Sequence, residues 1–230
     1  MPPALNPAST GAILFDFDGT LVDSAPSMAR ALNEMARRRG APPVELAAVR
    51  RWVSLGGEAM LRGALGDETD ADGDLEEFRG ILRGQTADTN DLYPGVVSML
   101  TMLKQVGYRV GICTNKREDI AVPYARGLGI APYLDSIVGG APNRRLKPHP
   151  ELAHIALERL EVNPCQAIFV GDSEIDADTA GAIGMKFVLV TFGYPHGDID
   201  AIPADARVDS LLQLPSLAHV MLSSPHPPVA

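Results

Sequence analysis

The chain has 230 residues, 46% of them hydrophobic, and 20 Lys and Arg against 29 Asp and Glu give a net charge of −9. That length buries a core without disulfide or metal staples, and an acidic balance with no basic run excludes a general nucleic-acid or anionic-membrane surface. Two cysteines, Cys113 and Cys165, cannot build a disulfide framework or a four-cysteine zinc site. Both lie in or beside apolar runs and read as buried free thiols. Residues 1–10 lack the basic start and apolar core of a signal peptide, and no stretch approaches the roughly 20 apolar residues of a membrane span. The expected setting is soluble, reducing and cytoplasmic, with no nucleic-acid or membrane partner.

Both ends are proline-rich (Pro2, Pro3 and Pro7; Pro225, Pro227 and Pro228) and are expected to be frayed tails. Between them, Ala12–Phe17 reads as a buried strand. From Ser24 to about Asn90 only helical patterns follow. Met28, Ala31, Leu32 and Met35 mark one apolar face, and Leu75, Phe78, Ile81 and Leu82 another. This segment is longer than a crossover needs, and turn chemistry flanks it at Asp23–Pro26 and Asp91–Gly95. Further strands are expected at Tyr108–Cys113, Leu134–Val138, Ala167–Val170 and Phe187–Val190. Helical patterns lie at Val96–Gln105, Pro148–Leu160 and Asp176–Ile183. Strand–helix alternation of this kind predicts an α/β, doubly wound parallel sheet, a Rossmann-like core formed by residues 1–23 and 91–230. Residues 24–90 are expected to form a small inserted α-helical cap. Inserted after the first strand, the cap would hang over the carboxyl edge of the sheet, where ligands bind in such folds.

Polar residues concentrate at that edge. The first strand ends Asp16-Phe17-Asp18-Gly19-Thr20, the second Thr114-Asn115-Lys116. Leu146-Lys147-Pro148 follows the third, and the fourth ends Gly171-Asp172-Ser173-Glu174-Ile175-Asp176. An apolar strand has no packing reason to end in two aspartates. Two like charges ~4 Å apart at an effective dielectric near 20 repel by about 4 kcal/mol, so converging carboxylates need compensation by protonation or by a hard cation such as Mg²⁺. With Lys147 as a positive charge and Thr114 and turn N–H groups as donors, the pattern describes a phosphate site.

These stretches resemble the four motifs of the haloacid dehalogenase superfamily. Asp16–Val22 is similar to the first, Thr114-Asn115 to the second, Lys147-Pro148 to the third, and Gly171-Asp172 with Asp176 to the fourth. The resemblance runs from about Gly11 to Leu214, and the helical insert is similar to the superfamily's small-cap class. It implies that Asp16 is a covalent nucleophile and Asp18 the general acid/base, the phosphatase and phosphomutase pattern. Mg²⁺ would be held by Asp16, the backbone carbonyl of Asp18 and Asp172. Asp176 would support that shell through water or Lys147, and Glu174 would hold a metal-bound water. Thr114, Asn115 and Lys147 would bind substrate. Leu92–Val96, Gly111–Lys116 and Val188–Tyr194 look like stretches of bacterial phosphoglycolate phosphatases. The segment Gly139-Gly140-Ala141 departs from them, since an Asp commonly follows the two glycines.

The resulting expectation is a Mg²⁺-dependent phosphomonoester hydrolase, monomeric or a small homo-oligomer, acting on a small phosphorylated metabolite, foremost phosphoglycolate. The alternatives are a phosphomutase of the β-phosphoglucomutase type, a sugar-phosphate phosphatase and a non-catalytic module on the same fold. Selectivity would come from the cap. Arg50–Glu58 is the stretch singled out there, with Arg51 or Ser54 meeting a substrate carboxylate or hydroxyl; its plain reading is a helix–helix turn with solvated arginines and Trp52 in the cap core.

Overall fold

The structure, a computed structural model, describes residues 11–53, 57–66, 71–195 and 197–223; the proline-rich ends, Ser54 and Gly56 lie outside them. Ala12–Phe15 forms β1, apolar on both faces, with Ile13 and Phe15 in one core cluster and Ala12 and Leu14 in another. A strand of this kind must be covered on both sides. Four helices follow: α1 (Ala25–Arg38), α2 (Leu46–Trp52), α3 (Gly57–Leu65) and α4 (Ala71–Gly84). Then come α5 (Val96–Val106), β2 (Arg109–Arg117), α6 (Glu118–Gly127), β3 (Ser136–Gly140), α7 (Glu151–Leu160), β4 (Ala167–Gly171), α8 (Glu174–Ala182), β5 (Lys186–Val190), β6 (Ala206–Val208) and α9 (Leu214–Ser223). The strands form one parallel sheet in the order β3-β2-β1-β4-β5-β6.

One face of the sheet packs on α5, α6 and α9 through Met99, Leu103, Tyr124, Leu214 and Ala218. The other packs on α7 and α8 through Leu152, Ala156, Leu160, Ala177 and Ala180. The order reverses beside β1, so β1 ends at the topological switch point, where a crevice opens. The helices α1–α4 bury a third cluster of their own around Leu32, Met35, Val49, Leu61 and Phe78. Leu32 and Met35 are fully buried, and truncating a side chain of this kind to Ala costs about 2–5 kcal/mol. Entry to and exit from this helical segment run side by side. Val22 bridges Leu92, Asp23 N–H donates to the Asp91 carbonyl at 2.7 Å, and Tyr93 N–H to the Leu21 carbonyl at 3.1 Å. No helix among the described residues is long and apolar enough to cross a membrane.

Several boundaries differ from expectation. β3 starts at Ser136, two residues late, because Ala131–Tyr133 closes a turn and Asp135 docks on β2, its carboxylate accepting from Val110 N–H at 2.7 Å. The helix expected from Pro148 starts at Glu151, after a turn in which His149 N–H donates to the Leu146 carbonyl. β6 and α9 were not expected. β6 is a three-residue edge strand with Arg207 exposed at its centre, and a single inward Val208 carries no periodic signal. Cys165 is exposed rather than buried, because it belongs to the Pro164–Gln166 turn and β4 begins only at Ala167. Cys113 is buried as expected, and desolvation pushes its thiol up to about 12.

Candidate active site

β1 gives way to a tight turn in which Leu21 and Val22 N–H both donate to the Phe17 carbonyl. Asp16 N–H still bonds the Val170 carbonyl at 2.9 Å, so its side chain is fixed by the sheet. Gly19 has φ 87°, and a Cβ there would lie 2.3 Å from Asp172 Oδ2. Only glycine allows the first and fourth strand ends to approach so closely. On β2 the register shifts between Cys113 and Arg117, an irregularity that re-aims the side chains of Thr114, Asn115 and Lys116. Asp16, Asp172, Thr114, Asn115 and Lys116 line a cavity of about 430 Å³ between the sheet edge and the helical segment.

At its floor, Lys147 Nζ lies 2.8 Å from Asp16 Oδ1 and 2.6 Å from Asp176 Oδ1. The contact to Asp16 is an ion pair without hydrogen-bond geometry, which leaves that buried oxygen without a donor. Burial raises the Asp16 carboxyl to about 6, against the opposing pull of Lys147. Burial also raises Asp172 well above the carboxylate range, with repulsion from Asp176 and Asp16 adding to it. Burial alone would lower Lys147, but attraction to Asp16 and Asp176 outweighs it and holds the ammonium above its ordinary value. Asp172 accepts from Tyr194 N–H at 2.6 Å and Thr20 Oγ1 at 3.1 Å. Asp176 Oδ2 accepts from Ser173 Oγ at 2.8 Å and from the Asp172 and Ser173 N–H groups at 3.2 Å, capping α8. Lys116 Nζ grips both Asp18 oxygens at 2.9 and 3.2 Å.

Asp16, Asp172 and Asp176 each offer a carboxylate oxygen within 4.8 Å of the others, all buried. Together with Asp18 they set four carboxylates against two ammoniums, Lys116 and Lys147. A divalent cation would cancel the surplus, and an all-oxygen donor set suits a hard one. Asp16 Oδ1, which faces Lys147 at 2.8 Å without hydrogen-bond geometry, keeps lone pairs for such an ion. Asp176 is held by the Lys147 ammonium and by three donors of the α8 cap, whereas Asp172 accepts only from the neutral Thr20 hydroxyl and the Tyr194 N–H.

The family model described as haloacid dehalogenase-like hydrolase matches residues 13–190. The chain belongs to the haloacid dehalogenase-like hydrolases. Among relatives of this hydrolase, a phosphoglycolate phosphatase from Nitrosococcus oceani is 36% identical over 213 residues, covering 89% of this chain and 95% of that one. One from Rhodobacter capsulatus is 34% identical, covering 90% and 95%. Among solved structures, a predicted phosphoglycolate phosphatase from Haemophilus somnus superposes with a TM-score of 0.82 at 25% identity, covering 93% of this chain and 99% of that one. A β-phosphoglucomutase from Clostridium difficile shares the fold, with a TM-score of 0.73 at 23% identity, covering 93% and 97%.

The structure of this hydrolase gathers Asp16, Asp18, Thr114, Asn115, Lys147 and Asp172 around one cavity. Asn115 is engaged elsewhere than expected: its side chain donates to the Lys147 carbonyl at 3.0 Å and accepts from Lys147 N–H at 2.7 Å, clamping the loop that carries the lysine. Asp176 meets Lys147 directly. Arg51 is exposed on α2 and is not among the residues lining the cavity, while its neighbour Arg50 pairs with Asp23 at 2.8 Å. Trp52 packs into the helical cluster. Sequence reasoning missed Lys116 and Tyr194. Lys116 stands two residues past Thr114, and alternation along β2 would have put it on the same side as that threonine. The backbone donor of Tyr194 has no sequence signal.

Proposed function

We propose that this hydrolase is a Mg²⁺-dependent phosphatase of a small phosphorylated acid, 2-phosphoglycolate before others, acting through an aspartyl phosphate on Asp16. The observation that carries the reading is the desolvated Asp16 carboxylate at the end of β1, with one oxygen free of hydrogen bonds and a buried ammonium beside it. A desolvated carboxylate aimed at a phosphoryl group is an activated nucleophile. The naming of relatives at 34–36% identity supports the substrate.

In this reading Asp16 attacks phosphorus and the P–O ester bond breaks. Asp18, oriented by Lys116, gives its proton to the departing oxygen. Water then attacks the acyl phosphate, Asp18 takes a proton from it, and Asp16 is released with inorganic phosphate. Lys147 and Thr114 hold phosphoryl oxygens, and Asn115 holds the Lys147 loop. Mg²⁺, with Asp16, Asp172 and the Asp18 carbonyl as its protein ligands, would neutralise the phosphoryl charge. Residues 24–90 act as the cap that excludes water, hinged on the paired linkers. The proposed setting is the cytoplasm, consistent with two free thiols, and the proposed assembly is a monomer or small homo-oligomer.

Phosphate release across a few dozen phosphorylated metabolites, with Mg²⁺ and with chelator, tests the reading. The expected result is the highest kcat/KM for 2-phosphoglycolate and loss of activity in chelator, restored by Mg²⁺. A sugar monophosphate converted to an isomer without free phosphate, or full activity after exhaustive demetallation, would overturn it.

A further inference from the structure

Among the described residues, four cationic side chains line the cavity: Lys116, Lys147, Arg79 and Arg117. The two lysines are committed to catalytic carboxylates, Lys147 to Asp16 and Asp176 and Lys116 to Asp18. The two arginines are not. Arg79, on α4, makes no hydrogen bond among the described residues, and its one ion-pair partner there, Glu76, stands 3.9 Å away. Glu76 is already held by Arg83 at 2.7 Å. Arg117, the last residue of β2, gives its Nε to Asp119 at 3.1 Å, and the same carboxylate is drawn to Arg83 at 2.9 Å. Three guanidiniums thus share two carboxylates where α4 meets α6. The Arg79 side chain is 28% and that of Arg117 25% exposed, so both are largely withdrawn from water while facing the cavity. Desolvation and the neighbouring charge of Arg117 both push Arg79 below its ordinary pKa. A guanidinium without a close counter-ion, beside a like charge, gains most from an anion placed between the two, and the planar fork matches a carboxylate.

We propose that Arg79 and Arg117 form the subsite for the carboxylate of a phosphorylated carboxylic acid, across the seam between the helical segment and the sheet. The assignment rests on the phosphatase reading and names the part of the cavity that selects among its substrates. A second negative charge on the substrate would be repelled by the Asp16–Asp18–Asp172 end of the cavity, so it needs a cationic partner that catalysis leaves available. Arg79 comes from α4 and Arg117 from β2, so the carboxylate would also tie the two parts together over the reacting phosphoryl group.

The test compares 2-phosphoglycolate with 2-hydroxyethyl phosphate, in which a neutral CH₂OH replaces the carboxylate. Binding is measured by calorimetry in Mg²⁺ on protein carrying Asp16→Asn, so that no turnover is required, and kcat/KM is measured on protein with Asp16 intact. With both arginines present, 2-phosphoglycolate is expected to bind roughly tenfold or more tightly than the neutral ester. Arg79→Gln and Arg117→Gln should each bring that ratio toward one, and Arg79→Lys should restore part of it. Arg62→Gln, which removes an exposed charge from the helical segment but not from the cavity lining, should leave the ratio in place. The proposal is overturned if the intact protein binds the two esters equally, if the ratio survives both glutamine variants, or if Arg62→Gln abolishes it as completely. Should neither ester be hydrolysed while the binding ratio behaves as described, the phosphatase reading fails and the anion subsite stands.

Discussion

On the sheet side of the cavity, the charged groups are tied to partners from other elements: Asp16 to β4 through its backbone, Asp18 to Lys116, Asp172 to Thr20 and Tyr194, Asp176 to Lys147, and the Lys147 backbone to Asn115. On the helical side the lining is Met28, Val53, Met60, Leu75, Phe78 and Leu82, with Glu58 and Arg79. The first wall is a polar network over-determined by strand ends and capping groups; the second is a mainly apolar surface with few polar side chains. Such a division lets one half hold a reaction to sub-ångström geometry while the other tolerates change in the leaving group. Substitutions on the sheet side should therefore cost turnover, and substitutions on the helical side should shift selectivity.

The sharpest break is Asp16→Asn. The variant should fold with an unchanged circular dichroism spectrum and lose turnover by roughly 10⁴-fold or more; residual activity well above that level would move the nucleophile elsewhere. Asp18→Asn should cost about 10²–10⁴-fold on alkyl phosphates and less on aryl phosphates, whose leaving groups need little proton help. Burst kinetics on the two ester types measure the difference. Lys147→Met strands two buried carboxylates without their cation, which should cost about 3–5 kcal/mol in urea unfolding of the metal-free protein.

A smaller effect concerns pH. Asp16 has a folded value of about 6 against 3.8 for an ordinary Asp, and Asp172 is shifted in the same direction. The folded metal-free state therefore binds more protons than the unfolded state across that window. The associated stability is fully present below pH 3.8 and is lost as pH rises through about 6. Mg²⁺ competes with those protons, so the gain in Tm on adding Mg²⁺ should widen from pH 5 to pH 7.5. A gain independent of pH would mean that these carboxylates are not the ligands. The smallest expected change is at Arg51, exposed on α2: Arg51→Ala should alter kcat/KM for 2-phosphoglycolate by less than about twofold.

The contrast between the walls also explains what the sequence revealed. The aspartates of the sheet side stand directly after apolar runs, where chemistry is the only reason for charge, so Asp16, Asp18 and Asp172 could be read one strand end at a time. Lys147 has no such context of its own; it is legible because its motif falls in order between the second and the fourth. The helical side offers no equivalent. Arg79 sits among charged residues of an amphipathic helix, in a stretch where Glu76, Glu77, Arg79 and Arg83 look alike, and only packing against α6 turns one of them inward. Arg51 drew notice because Gly56-Gly57 follows closely, yet α2 presents Val49 to the interior instead. Asn115 shows a subtler limit: its position beside Thr114 marks it as functional, but its engagement with the Lys147 backbone depends on a loop more than thirty positions away in the chain, at a separation of 32.

The sheet order has a consequence for how the chain acquires its shape. β1 is made first but finds its neighbours at Arg109 and Ala167, so most of the protein must be synthesised before the central ladder can close. Until then Ile13, Leu14, Phe15 and Phe17 lack their partners, a long-range topology of the kind that folds slowly and invites aggregation. Helices α1–α4 pack mainly on each other, within one stretch of chain, and can collapse early. Once they have, the Val22–Leu92 bridge shortens the loop that separates β1 from β2, and the helical segment that lines one wall of the cavity would serve, during synthesis, as the clasp that brings the first two strands together.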